Sequence, residues 1–318
     1  MELIKPGIEI NFVRWRLVFL LVSLGLFIMA MVSFIIPGPN WGIDFKGGTE
    51  LRVRFFKPVE IGELRSLLSG LGLGEVQIQS LHGKSFEETG GYQDYLIRTE
   101  ERQAKTGSET PRASSLIEQK FKEKFGADSF QVLNVEYVGP RVGKELQERG
   151  IQAMVYALIG ILLYVGIRFE FRYAFGAVLA LVHDTIITAG VYVLFQREWS
   201  LAIIAALLTI IGYSVNDTIV VYDRIRENIR RGRVGDFPRL VNQSINQTLS
   251  RTVLTSLTTL MAVLFLYIFG GGVIRDFSLV LIVGIVVGTY SSIYVASSLV
   301  IFLQELRGAK SAPAKGKK

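Results

Sequence analysis

Cysteine is absent from the 318 residues, and histidine occurs only twice. The first absence removes disulfides, thiolate metal sites and thiol nucleophiles. The second leaves little from which to build a catalytic zinc site or a haem pocket. No internal repeat with a period of about 20 to 50 residues is visible, which argues against a solenoid or propeller. Charged side chains make up 20% of the chain while half of it is hydrophobic, so the apolar residues are concentrated in blocks. The net charge of +7, from 35 basic and 28 acidic residues, is by itself ambiguous. It fits nucleic acid, an anionic membrane surface, or the lopsided loops of a membrane protein.

Six stretches are long and apolar enough to cross a bilayer, which takes about 20 residues of helix. They are Leu17–Ile36, Ile151–Ile167, Ala174–Phe195, Leu201–Tyr222, Thr252–Phe269 and Phe277–Leu303. The first is about twice the length of a secretory-signal core, and Pro37-Gly38-Pro39-Asn40 after it is no small-residue cleavage site. It reads as a signal anchor. With the N-terminus inside, the inner segments carry seventeen Lys and Arg: Lys5, Arg14 and Arg16, then Arg168 and Arg172, seven from Asp223 to Arg251, and five from Gln304 onward. The two short outer loops carry one each, Arg197 and Arg275. That asymmetry places both termini in the cytoplasm of a multi-pass protein. Arg141, Lys144 and Arg149 run against it, but they end a long translocated segment, where the rule is weak.

The chain accordingly divides into an inner N-terminus with the first span (1–36), an external domain (37–150), a five-helix membrane region (151–303) with an inner loop at 223–251, and a basic inner tail (304–318). The external domain carries 16 basic and 17 acidic residues, so the excess charge belongs to the inner loops and not to a nucleic-acid site. Its pattern is β at Thr49–Phe56, α at Pro58–Leu71, β at Glu75–Leu81 and Tyr92–Thr99, α at Pro111–Phe125 and β at Phe130–Val138. That order predicts a small α+β ferredoxin-like domain. A hairpin loop is expected at 82–91, a mobile polar stretch at 100–111 and an unstructured Lys-rich tail at 311–318, facing anionic lipid.

Polar groups inside apolar spans carry the chemistry, because each charge at the bilayer centre costs about 2.5–3.5 kcal/mol on insertion scales. The third span contains His183-Asp184. The fourth contains Asn216-Asp217-Thr218, and the fifth opens on Arg251 with Thr255, Ser256, Thr258 and Thr259 beyond. Asp217 lies six residues before Asp223, roughly 9 Å of helix from the inner loop. Arg251 enters from that same loop on the antiparallel neighbour, so the two can meet at similar depth. Burial favours the neutral form of such a carboxylate and the guanidinium favours the charged form, so it can bind and release protons. The plainer alternative has Asp217 packing the span and Arg251 reaching back to the interface. His183-Asp184 is either a relay partner or an interhelical hydrogen bond that holds the bundle together.

Two aspartates in the membrane raise an aspartyl protease, but no Gly-x-Gly-Asp run is present. Gly284 and Gly288 form a small-xxx-small pair that lets the last span approach a neighbour closely. Gly270-Gly271-Gly272 makes an outer turn. The glycines of GIDFKGGTEL (42–51) are no phosphate loop, since Gly48-Thr49 stands where Lys then Ser or Thr is required.

GIDFKGGTEL (42–51), YVGPRVGKEL (137–146), GYSVNDTIVVYDRIREN (212–228) and QTLSRTVLTSLTTL (247–260) resemble the signature segments of the SecF family. So does the last span, with Phe277-Ser278-Leu279, Gly284, Gly288 and 291–298. The resemblance runs from the first span to the last. It implies the membrane subunit that works with SecD in bacterial protein export, a six-helix half of an RND-type transporter in the cytoplasmic membrane. It also implies the SecYEG channel, YajC and a translocating preprotein as partners. Asp217 in Val-Asn-Asp-Thr matches the family's ion-carrying aspartate and Arg251 in Leu-Ser-Arg-Thr its arginine partner; Asn216 and Thr218, read from the sequence beside Asp217, are candidate supporting residues. No cofactor is implied. The lone carboxylate favours H⁺ over Na⁺ as the coupling ion, although SecD shares the site. Two other classes stay open: a scaffold that only holds SecD at the channel, and half of an RND-type small-molecule exporter.

Overall fold

A computed structural model describes residues 9–74, 76–81, 90–99, 112–169, 171–232 and 236–311. Lys5, residues 82–89 of the expected hairpin loop, the stretch 100–111 and the tail beyond 311 lie outside the described residues. In chain order the elements are α1 (Arg16–Ser33), β1 (Asn40–Trp41), α2 (Ile43–Lys46), β2 (Gly48–Phe55), α3 (Ile61–Ser69), β3 (Val76–Ser80), β4 (Gln93–Thr99), α4 (Arg112–Phe125) and β5 (Phe130–Val138). There follow α5 (Pro140–Arg168), α6 (Phe171–Leu194), β6 (Glu198–Trp199), α7 (Leu201–Arg230), α8 (Phe237–Phe269), α9 (Gly272–Ser291) and α10 (Ser297–Ser311), the last two joined by a π turn at Ser292–Ala296. The contacts divide the chain into two units, one of residues 40–151 with 198–201, the other of the remainder.

The smaller unit carries an antiparallel sheet in the order β3-β4-β2-β5 with α3 and α4 packed on it, the expected ferredoxin-like arrangement. Alternation along β2 turns Leu51, Val53 and Phe55 inward, where they meet Leu64 and Leu68 one turn apart on α3 and Ile117 and Phe121 one turn apart on α4. Phe55 lies within 6 Å, ring to ring, of Tyr95, Phe121, Phe125 and Phe130, giving the core an aromatic centre without a disulfide. Asp94 on β4 is fully buried and takes Nε and Nη2 of Arg54, directly opposite on β2, at 2.7 and 3.0 Å. The register of β2 against β5 shifts at Arg52/Val53, where Leu133 is the extra residue of a bulge. The helix expected from Pro58 begins instead at Ile61, since Val59 turns into the core ahead of it.

The segment Glu198–Leu201 belongs to this unit. β6 pairs in parallel with β1, and the Leu201 N–H donates to Asp44 Oδ2 at 2.8 Å. Arg98 donates to Glu50 Oε2 at 2.5 Å and to Glu198 Oε2. Burial pushes the Glu198 carboxyl above the ordinary glutamate range, against the opposing pull of Arg98 and with help from Glu50. With the folded value raised, stability from this group is full below the unfolded value and is lost as pH rises through the folded one. Glu198→Gln, which imitates the protonated form, is therefore expected to unfold at a higher temperature than wild type at neutral pH. The gap should close as pH falls below about 4.3, the free glutamate value. Thermal unfolding followed by Trp emission checks this, because Trp41 and Trp199 lie side by side with ring centroids 5.7 Å apart.

The larger unit is helical. Among the described residues, six helical stretches are long and apolar enough to cross a membrane: Val13–Ser33, Pro140–Arg168, Tyr173–Leu194, Leu201–Arg230, Phe237–Phe269 and Gly272–Leu306. The helices α5, α7 and α8 and the last span outrun the apolar sequence stretches, whereas α1 stops at Ser33, short of the expected Ile36. α5 begins at Pro140, eleven residues before the apolar run, with proline in the first turn, where its missing N–H costs nothing. The segment 223–251, expected as a loop, is mostly helix: α7 continues to Arg230 and α8 starts at Phe237. Polar residues carry the helical period there, with Glu227 joined to Arg224 and Arg231 at i−3 and i+4, and Asn228 Nδ2 donating to Ser244 Oγ at 2.9 Å. The last span is interrupted by the π turn, where Ser297 Oγ donates to the carbonyl of Ser292, five residues back, at 3.0 Å.

Within this unit α6, α7 and α9 are the most enclosed helices, whereas α1, α5 and α8 expose rows of apolar side chains such as Leu17, Leu21, Leu24 and Ile28 on α1. Asn242 and Asn246, one turn apart on α8, hold the N-terminal chain: Asn246 Oδ1 accepts from the Ile10 N–H at 2.9 Å, and both amides donate to the Ile10 carbonyl.

Candidate functional site

Ser214, Asp217, Thr218 and Val221 fall at i, i+3, i+4 and i+7 on α7 and form its buried face. Asp217 is only 2% exposed. Its hydrogen-bond partner is a hydroxyl: Ser256 Oγ on α8 donates to Asp217 Oδ2 at 3.4 Å, and Ser256 Oγ lies 2.7 Å from Thr289 Oγ1 on α9. Thr218 and Thr252 flank the site as buried residues whose hydroxyls have no hydrogen-bond partner among the described residues. Asn216, one residue away, is exposed on the other side of α7.

Arg251 does not close on Asp217. It is exposed, and no ion pair joins the two among the described residues, although its charge acts on Asp217 from a distance. The reason is helical phase. Arg251 and Ser256 are five residues apart on α8, which puts them roughly 140° apart around the axis. With Ser256 turned to Asp217, Arg251 faces away.

His183-Asp184 is the more elaborately bonded pair. Asp184 is fully buried. Its Oδ2 accepts from Ser214 Oγ on α7 and from Ser291 Oγ on α9, both at 2.6 Å, and Oδ1 is 2.9 Å from His183 Nδ1. Gly284 and Gly288 explain how α9 comes so near α7. A Cβ at Gly284 would lie 2.4 Å from the Ile210 side chain, and one at Gly288 3.0 Å from Ser214 Cβ and Oγ. The glycine pair thus sets Ser291 and Ser214 around one carboxylate oxygen.

Residues 117–306 match the family described as "Protein export membrane protein SecD/SecF, C-terminal", and residues 32–59 match the "SecD/SecF GG Motif". The chain belongs to the SecD/SecF family. Among curated relatives it is 44% identical, over 96% of its own length and 98% of theirs, to the protein translocase subunit SecF of Calditerrivibrio nitroreducens. It is 43% identical to that of Escherichia coli O157:H7, over 92% and 87%. Among solved structures it resembles SecDF, a translocon-associated membrane protein from Thermus thermophilus, with a TM-score of 0.80 and 40% identity over 94% of this chain. SecDF in its super-membrane-facing form gives 0.70 at 40% identity. This chain spans 39% of the first SecDF chain and 40% of the second, so it corresponds to the SecF part of an RND-like fold.

The matched glycine pair has a clear physical basis. Gly47 and Gly48 adopt φ of +80° and +153°, and a Cβ at Gly48 would lie 2.4 Å from the Thr99 carbonyl oxygen. Only glycine fits where α2 turns into β2. Other site residues were less legible. Ser214 and Ser291 were visible as small polar residues in the quoted motifs, but their convergence on Asp184 was not. Thr289 carried no signal at all. Gly190 on α6, whose Cβ would lie 2.4 Å from Ala30 Cβ, was hidden in an ordinary Ala-Gly-Val run.

Proposed function

We propose that this chain, joined to SecD, uses the proton-motive force to help SecYEG move preproteins across the bacterial cytoplasmic membrane, with Asp217 as the ion-carrying group. The observation that carries the reading is Asp217 itself: a carboxylate enclosed between three helices, with a hydroxyl as its hydrogen-bond partner. A lone ionised carboxylate is costly in such a place, so proton binding relieves it. A lone carboxylate whose hydrogen-bond partner among the described residues is one hydroxyl favours H⁺ over Na⁺ in this reading. Arg251 is the counter-charge in this reading, meeting Asp217 in one state of the working cycle and leaving it in another. Protonation of Asp217 from outside weakens the attraction, α7 and α8 shift, and the external domain changes posture against the emerging chain. One charge crossing 100 mV supplies about 2.3 kcal/mol. Coupling between sites takes about 1–3 kcal/mol, so one ion per step suffices to bias a two-state bundle. YajC completes the partner set, and both termini face the cytoplasm.

Inverted vesicles containing SecYEG, SecD and this chain, with the ATP-driven motor saturated, test the reading. A pH gradient is expected to raise preprotein import, a protonophore to remove the gain, and a sodium gradient to leave it unchanged. Stimulation by sodium alone, or a gain that persists without this chain, would overturn it.

A further inference from the structure

We propose that His183-Asp184 is a second proton-holding site of the bundle, read by α7 and α9 through Ser214 and Ser291. Asp184 is fully enclosed, and its hydrogen-bond partners come from three helices. α6 itself contributes His183, α7 contributes Ser214, and α9 contributes Ser291. From α1, Phe27 lies parallel to the imidazole with ring centroids 6.4 Å apart. Among the described residues no Lys or Arg pairs with Asp184, so His183 is its one titratable partner.

With a neutral imidazole donating from Nδ1 to Oδ1, the pair carries one buried negative charge that three hydrogen bonds spread but do not cancel. Such a charge is expensive, whereas a pair made neutral by one added proton is not. The structure leaves a place for that proton. His183 Nε2 is buried and has no hydrogen-bond partner among the described residues. In the neutral ring its lone pair takes up a proton. The imidazolium formed then faces the Asp184 carboxylate, and the pair passes from a charge of −1 to zero. Release from Nε2 restores the starting state, and no other bond is made or broken.

The two serines turn that charge change into a mechanical signal. Hydroxyl bonds to a carboxylate are strongest when its charge is uncompensated, so Ser214 and Ser291 are drawn to Oδ2 more tightly in the proton-free state. Ser214 precedes Asp217 by one turn of α7, and Ser291 follows Thr289 by two residues on α9. The helices that sense the pair therefore also shape the Asp217 pocket. A passive tie between helices would use the same bonds but would be indifferent to the charge.

Asparagine separates the two cases, because Asp184→Asn keeps an oxygen for both hydroxyls and removes the charge. The experiment uses the complex with SecD, reassembled from this chain carrying isotope-labelled histidine and His82→Gln, so that His183 gives the sole labelled signal. Infrared difference spectra are recorded across pH. The expected result is an imidazolium signal that titrates in wild type and falls about tenfold at the same pH in Asp184→Asn, with unchanged thermal stability of the complex. It should persist in Asp217→Asn, which separates this site from the proposed function: loss of export stimulation in that variant with the His183 signal intact concerns Asp217 alone. If Asp184→Asn fails to assemble, His183→Gln replaces it, and the pH-dependent carboxylate band of Asp184 is expected to vanish. A His183 signal that never titrates in wild type, one identical in Asp184→Asn, or a carboxylate band unchanged in His183→Gln would overturn the proposal.

Discussion

Asp217→Asn is expected to leave the complex with SecD assembled and to abolish the gradient-dependent share of export, returning it to the level that ATP alone sustains. The two halves of that expectation have separate physical grounds. Assembly survives because the amide is nearly isosteric and its oxygen still accepts from Ser256, which lies 3.4 Å away and already bonds Thr289. A buried neutral amide is also cheaper to enclose than a buried carboxylate, so stability should change by about 1 kcal/mol or less. Function is lost because an amide cannot take up a proton at any working pH. Arg251→Lys gives the companion result: the charge is kept but the planar fork is lost, and stimulation should fall without disappearing. Vesicle import with and without an imposed pH gradient measures both. Full stimulation in Asp217→Asn would remove the residue from the mechanism.

How much of this was legible in the sequence depends on the range over which each feature is determined. β5 is legible residue for residue, because its ends are marked by turn residues and its β-branched and aromatic content is local information. The six spans were legible for the same reason, since apolar runs of this length have few other uses. The true lengths of α5, α7 and α8 were not, because there hydrophobicity ends before the helix does. Charged pairs such as Glu227 with Arg224 and Arg231 extend α7 where an apolar count sees only loop. β1 and β6 were invisible, being two residues each and held by one another across more than 150 positions. At the candidate site, composition pointed to Asp217, Arg251 and Asp184, but angular phase decided what they touch. Five residues of α8 between Arg251 and Ser256 put a hydroxyl, and not the guanidinium, against Asp217. No window along one helix reports that Ser214 and Ser291 share a carboxylate oxygen, since that depends on how closely Gly284 and Gly288 admit α7.

The same dependence on close approach makes Gly190 a position where one added side chain should do large structural damage. A Cβ there would lie 2.4 Å from Ala30 Cβ, 2.5 Å from Ala30 Cα and 3.1 Å from its carbonyl carbon. Two of those atoms belong to the backbone of α1, so no rotamer change relieves the clash and the helices must separate. Ordinary overpacking costs about 1–3 kcal/mol, and a backbone collision should reach the upper end for Gly190→Ala and exceed it for Gly190→Leu. Separation also breaks the bond from Ser33 Oγ to the Gly190 carbonyl, 3.1 Å long. Its effect should reach α9, because Tyr290 Oη donates to the Phe19 carbonyl of α1 at 2.7 Å and lies beside both Thr289 and Ser291 in sequence. Gly25→Ala on α1 is the control: nothing stands within 4 Å of its Cβ, and replacing a helical glycine there should be neutral or stabilising by about 0.5–1 kcal/mol. Thermal unfolding of the complex in detergent ranks the variants. Adding Ala30→Gly to Gly190→Ala removes the methyl-to-methyl overlap but leaves Cα at 2.5 Å, so the double variant should recover only part of the loss. Full recovery would mean that the side chains alone, and not the approach of the two backbones, set the spacing of α1 and α6.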